Sequence, residues 1–287
     1  MSDNRRANVT GIGAHLPEKV LSNLDLERMV ETSDEWITQR TGMKERRIAG
    51  EEESTASMAV IAGRNACRDA GIDPTELEMI ICATITPETL CPATACHVQR
   101  DLGAIGSAAF DLSAACSGWV YGLGIAARFI EAGTHEKILV IGAETLSRFT
   151  DYEDRGSCIL FGDGAGAVVL QPTDRPDAGV RYTTMHADGE GWDYIWIPAG
   201  GAAEPASDKT VAERRHFLKM RGRDVYKFAI EKMQWLLEDC MRACSLTPDG
   251  VDLVVPHQVN IRILKSATEK LGFPMDKVYV NLDRYGN

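Results

Sequence analysis

A cysteine, a histidine and an asparagine stand in this chain just beyond runs that read as strands. Cys116 ends Phe110-Asp111-Leu112-Ser113-Ala114-Ala115-Cys116, and an apolar stretch continues from it to Glu131 with Gly133 behind. The pattern predicts a short buried strand, a tight turn of small residues, and a helix that Cys116 opens and Gly133 closes. A thiol at a helix N-terminus feels unpaired backbone N–H groups and the positive end of the dipole, which stabilise thiolate and lower its pKa. Cysteine is also simply a small, readily buried residue, but the small residues on both sides leave room for something to reach the sulfur. His257 follows the apolar run Val251 to Val255, and Asn287 follows the run Lys277 to Leu282. Open α/β folds assemble their sites past the carboxyl ends of such strands. The three residue types suit acyl transfer, in which thiolate takes an acyl group as thioester while imidazole and carboxamide donate hydrogen bonds to a developing oxyanion. Taken alone, His257 also reads as a packed histidine.

The positioning elements alternate between helix and strand. Continuous apolar strands are expected at Leu77 to Thr84 and Lys137 to Gly142, as parallel sheets require. Helices are expected from Asn23 to Val30, from Ser54 or Thr55 to Ala70, from Thr94 to Leu102, and from about Asp224 to Cys244, the last with an apolar stripe. Gly11 and Gly13 lie in a strand, and the run Phe161 to Ala167 lacks the Lys-Ser/Thr of a phosphate loop, so close packing explains both. Thr32 to Gly42 reads as a helix with Ser33 or Asp34 as N-cap and Gly42 as terminator, on which Trp36 and Arg40 share a face. That pair suits stacking on a planar group and binding phosphate, or equally a Trp packed on an Arg stem.

With 287 residues the chain exceeds the usual single-domain size. Asp174 to Gly179 reads as a linker between halves 1–173 and 174–287. Cys67 to Ile81 and Met241 to Val255 align without a gap as helix end, turn proline and apolar strand, which points to an internal duplication. By that symmetry the second half, ending where the first continues through a helix and two strands, is expected to be truncated at its C-terminus.

A net charge of −11 argues against general nucleic-acid binding. Met1 to Arg6 lacks the apolar core of a signal peptide, and no run of about 18 apolar residues is present, so a cytoplasmic location is expected. The eight cysteines lie mostly in apolar segments and read as reduced thiols. Cys91, Cys96 and His97 have no second ligand pair at metal spacing, so no metal is expected.

Asp111 to Gly118, Phe161 to Ala167, His257-Gln258-Val259-Asn260-Ile261-Arg262 and Tyr285-Gly286-Asn287 together resemble β-ketoacyl-acyl-carrier-protein synthase III of the thiolase superfamily. Thr32 to Gly42 resembles that family's coenzyme A helix. The resemblance implies an α/β, thiolase-like, duplicated α/β/α/β/α five-layer architecture and a homodimer. It implies condensation of an acyl-coenzyme A primer with malonyl-acyl carrier protein, coenzyme A entering as substrate and no cofactor being used. Cys116 would accept the acyl group; His257, kept neutral by a low pKa, and Asn287 would hold the malonyl thioester oxygen. Trp36 and Arg155 would sandwich adenine, with Thr32 and Arg40 near the nucleotide and Arg262 on the pantetheine or carrier side. Gly222, Arg223 and Tyr226 would bind substrate beside the pantetheine channel, although Arg223 and Tyr226 stand where the family often carries Asn and Phe. Cys91 stands where the family often sends a phenylalanine across the dimer interface into the acyl pocket, so a longer or branched primer is expected. Arg221, Lys227, Arg262, Lys265 and Lys270, with Arg214, Arg215, Lys219 and Arg223, are candidates for docking an acidic carrier protein, or a solvated helix face. A type III polyketide synthase shares the triad, a cysteine hydrolase shares its order along the chain, and a non-catalytic polyketide partner subunit would be expected to lack the nucleophile.

Overall fold

The computed structural model describes residues 5–287; residues 1–4, part of the segment read for a signal peptide, lie outside the described residues. The chain begins with β1 (Arg6–His15), β2 (Val20–Ser22), α1 (Asn23–Glu27), α2 (Asp34–Thr41), β3 (Glu45–Arg47), α3 (Thr55–Asp69) and β4 (Met79–Ala83). It continues through α4 (Thr94–Leu102), β5 (Ala108–Leu112), α5 (Gly118–Glu131), β6 (Ile138–Thr145) and β7 (Asp163–Thr173). The remainder holds β8 (Ile195–Trp196), α6 (Asp208–Ala212), β9 (Lys219–Met220), α7 (Gly222–Ala243), α8 (Ile261–Glu269) and α9 (Leu282–Tyr285). Two compact units are each assembled from three stretches of chain.

The first unit takes residues up to 19, Ala49–Thr145 and Asp163–Met185. Its sheet runs β1-β7-β6-β4-β5, with β4 parallel to both β5 and β6, and β7 antiparallel to both β6 and β1. The uninterrupted apolar run of β4 is buried throughout, as a central parallel strand requires. Two cores cover the two faces, one built on Met58, Ile80, Leu139 and Ile141, the other on Ile81, Val140, Ile130 and Leu170. Gly11 and Gly13 have the expected packing role: a Cβ on either would lie 2.3 Å or 2.2 Å from the backbone oxygen of Ala66 or Ala62 in α3. β5 is the edge strand and only partly buried, where a buried strand was expected, because the sheet ends with it.

The second unit takes Val20–Ile48, Leu146–Gly162 and His186–Asn287. Ser22, one residue earlier than the expected Asn23, caps α1, because its hydroxyl accepts the Asp25 N–H and Asp25 returns a bond to the Ser22 N–H. Ser33 caps α2 and Gly42, at φ 86°, ends it. The strands expected at Val251 to Val255 and Lys277 to Leu282 reduce to one parallel bridge between Val254 and Val278. Those two side chains are buried while neighbours Leu253, Val255 and Tyr279 face solvent, and helical turns take Met275–Lys277 and Leu282–Tyr285. The long helix forms as α7, but its apolar stripe stays partly exposed and none of its residues is buried. Each copy of the sequence repeat does build a helix, then a 3-10 turn led by proline, at Pro74–Glu76 and Pro248–Gly250.

Candidate active site

Cys116 lies in the first unit, on a 3-10 turn (Ala115–Ser117) between β5 and α5. Ala115 takes φ 45°, a left-handed conformation disfavoured for a residue with a Cβ, and Gly118 lets the turn press on β4, since a Cβ there would lie 2.9 Å from that of Ala83. Asp111 fixes the end of β5 by accepting the N–H groups of Thr94 and Ala95 at 2.7 and 2.8 Å, capping α4. α5 begins at Gly118, after the cysteine, and the expected lowering of the thiol pKa does not hold. Cys116 keeps accessible surface, yet the protein packed about it desolvates the sulfur, and the Glu144 carboxylate adds to this, so the thiol is raised above its ordinary value. Its own backbone hydrogen bond opposes the shift without reversing it.

Glu144 is the residue that sequence reading missed. It ends the apolar part of β6 and accepts hydrogen bonds from Ile85 N–H (2.9 Å), Thr86 Oγ1 (2.6 Å) and Thr84 Oγ1 (3.4 Å). Burial raises its pKa, and those bonds counter the rise. A carboxyl set directly after a continuous apolar strand, at its carboxyl end, was the available signal. Cys91 belongs to the same unit and lies exposed on the loop between β4 and α4, next to Leu90.

In the second unit a cavity of about 510 Å³ is lined by Trp36, Arg40, Gly222, Arg223, Tyr226 and Arg262, among others. The Arg155 guanidinium stands 4.5 Å from the Trp36 ring centroid and that of Arg40 5.7 Å, while Arg262 covers Tyr226 at 5.7 Å. Thr32 does not line the cavity; its hydroxyl is buried without a hydrogen-bond partner among the described residues. Asn260 caps α8 through the Arg262 N–H and donates to the Arg40 carbonyl at 3.0 Å, tying the His257 turn to α2. Gln258 bonds the Tyr279 carbonyl and the Asn281 N–H, tying the same turn to the segment that leads to Asn287. His257 keeps accessible surface, but surrounding protein desolvates the imidazole and holds its pKa down to about 4, the direction expected.

Asn287 is held by its backbone: its N–H donates to the Leu160 carbonyl and its carbonyl accepts from Gly162 N–H, both at 2.9 Å. A Cβ at Gly162 would lie 2.6 Å from the Tyr285 carbonyl, so the glycine run is needed partly for this approach. Several docking candidates are already engaged. Arg221 pairs with Asp193 and Asp224, Arg214 and Lys219 with Asp151, and Arg215 with Glu204. Lys227, Lys265 and Lys270 are exposed, the last donating to Gln234.

The descriptions 3-oxoacyl-[acyl-carrier-protein (ACP)] synthase III and its C-terminal counterpart match residues 110–189 and 241–287. Over 287 residues the chain is 48% identical to a protein of Caldanaerobacter subterraneus subsp. tengcongensis named beta-ketoacyl-[acyl-carrier-protein] synthase III, covering 100% of this chain and 86% of that relative. The chain belongs to the β-ketoacyl-[acyl-carrier-protein] synthase III family. Crystal structures of 3-oxoacyl-[acyl-carrier-protein] synthase III from Aquifex aeolicus VF5 and Pseudomonas aeruginosa PAO1 match at 44% and 35% identity with TM-scores of 0.88 and 0.90. Each match covers 98% of this chain, and 86% and 84% respectively of the solved chains. Like other β-ketoacyl-[acyl-carrier-protein] synthase III proteins, this one is a condensing acyltransferase with the thiolase fold. The chain spans 86% of the length of that Caldanaerobacter relative. Among the described residues no helix is long and apolar enough to cross a membrane.

Proposed function

We propose that this chain initiates fatty acid synthesis by condensing an acyl-coenzyme A primer with malonyl-acyl carrier protein to give 3-oxoacyl-acyl carrier protein. The Cys116 sulfur attacks the primer thioester, its proton leaving with the coenzyme A thiol, and keeps the acyl group. His257 and Asn287 hydrogen-bond the malonyl thioester oxygen; the carboxylate departs as carbon dioxide, and the enolate carbon attacks the acyl-cysteine and frees the sulfur. The observation that carries this reading is 48% identity over 287 residues to a protein named beta-ketoacyl-[acyl-carrier-protein] synthase III. Burial holding the His257 pKa down to about 4 supports it, since the imidazole is then neutral near pH 7 and keeps one N–H to donate to a thioester oxygen. Coenzyme A enters as substrate, and the chemistry uses no cofactor.

The cavity beside Trp36, Arg40 and Arg155 takes the nucleotide, with Gly222, Arg223, Tyr226 and Arg262 along the pantetheine path. The protein works in the cytoplasm as a homodimer with the duplicated five-layer architecture, its halves falling at 1–173 and 174–287. The edge position of β5 supports pairing with a second copy. Intact mass after incubation with acyl-coenzyme A thioesters tests the reading. One acyl adduct on Cys116, discharged by malonyl-acyl carrier protein with a new carbon–carbon bond, is expected. Release of free acid alone would identify a hydrolase.

A further inference from the structure

Arg46, in β3, is the largest fully buried side chain among the described residues. Taking a guanidinium out of water is costly and is usually offset by a carboxylate. Here the hydrogen bonds go to neutral acceptors: Nη1 donates to Asn23 Oδ1 at 2.6 Å, and Nε at 3.1 Å and Nη2 both donate to the Ile159 carbonyl. Burial accordingly holds the guanidinium pKa down at about 10. A buried cation that commits two of its three nitrogens to one backbone carbonyl implies that the position of that carbonyl matters.

Ile159 precedes the residues that hold Asn287. Leu160 accepts the Asn287 N–H and Gly162 donates to its carbonyl. The Arg46 stem also lies under Gly286, where an added Cβ would fall 2.9 Å from Arg46 Cγ. Arg46 therefore touches the segment that grips Asn287 from one side and the residue before Asn287 from the other. We infer that Arg46 is a positioning residue for Asn287, fixing 159–162 and Gly286 so that the carboxamide is presented in one place; the inference rests on the catalytic reading of Asn287 above. A planar fork that grips one carbonyl through two nitrogens while a third reaches Asn23 is a task lysine cannot perform.

The test separates two half-reactions, acylation of Cys116 by acyl-coenzyme A, read by mass, and carbon dioxide release from malonyl-acyl carrier protein on the acylated enzyme. Arg46→Gln is expected to slow the second about 10- to 100-fold, the cost of a small misplacement, and to leave the first within about threefold. Because Arg46 acts through Asn287, the double variant with Asn287→Ala should be no slower than Asn287→Ala alone. Losses that multiply in the double variant, or acylation that falls in parallel, would overturn the assignment. Asn287→Ala at the normal rate would instead overturn the catalytic reading of Asn287, and this inference with it. Should Arg46→Gln not fold, Asn23→Ala removes one acceptor of the same guanidinium. It must show the same split at about three- to tenfold, and a normal rate there would overturn the assignment.

Discussion

The carboxylate of Glu144 opposes ionisation of the Cys116 thiol, and both lie where the parallel strands of one sheet end. A negative charge near a desolvated sulfur raises the thiol pKa, so at neutral pH only a minor fraction is thiolate. Glu144→Gln keeps the shape and removes the charge. The pH profile of Cys116 alkylation, followed by peptide mass, should therefore move to lower pH, with the rate at pH 7 rising about three- to tenfold. An unmoved profile would confine Glu144 to holding Ile85 and Thr86.

The Trp36–Arg155 stack should act on binding and not on chemistry. If the nucleotide stacks on these side chains, Trp36→Ala or Arg155→Ala removes a substrate contact worth roughly 0.5–2 kcal/mol, so KM for acyl-coenzyme A should rise several-fold to about thirtyfold with kcat little changed. Acyl-pantetheine, which lacks the nucleotide, should be used equally well by variant and parent. Steady-state kinetics with the two substrates decides it.

Local patterns carried much of this site in the sequence. The turn at Cys116 was legible because an apolar run, small residues and a new helical period meet there, and Trp36 with Arg40 because four-residue spacing fixes a shared helix face. What depends on distant neighbours was not. The direction of the thiol shift comes first from desolvating packing that no local pattern encodes, and then from Glu144, 28 positions along the chain. Arg46, within the charged run Glu45-Arg46-Arg47, carries no local sign of its burial, which comes with its bonds to Ile159 and Asn23. Val251 to Val255 has the composition of a strand, but strand formation needs a partner ladder, and only Val254 finds one.

Asp151 gives the second unit an acid-sensitive joint. Its carboxylate, buried against Arg214 and Lys219, is held down at about 2. A depressed native pKa contributes stability that is complete above the unfolded value of 3.8 and disappears as pH falls through about 2. With both cations partly exposed, the contribution is on the order of 1 kcal/mol. Urea midpoints of the parent and Asp151→Asn should differ near pH 6 and converge between pH 4 and 2.

Gly286 cannot accept a side chain. At φ 69° and ψ −154° it occupies a region nearly restricted to glycine, and a Cβ would meet Arg46 Cγ and the Leu160 carbonyl, each at 2.9 Å. Gly286→Ala should cost about 1–3 kcal/mol of stability, read as a lowered urea midpoint at unchanged slope.

Engaged and unengaged cations separate the two views of the basic helices. Arg221 is committed to Asp193 and Asp224, whereas exposed Lys227 on α7, Lys265 on α8 and Lys270 directly after it pair with no carboxylate among the described residues. Helices α7 and α8 are neighbours, joined by the Gln234 side chain to the Ser266 carbonyl, so the lysines belong to adjoining surfaces. An acidic carrier protein would be drawn to them over distances set by ionic strength. Charge reversal at Lys227 and Lys270 should raise KM for malonyl-acyl carrier protein about tenfold at low salt, with the difference shrinking as salt is added, while acylation of Cys116 by acyl-coenzyme A stays unchanged. Equal carrier-protein KM for variant and parent at low salt would leave these lysines as a solvated helix face.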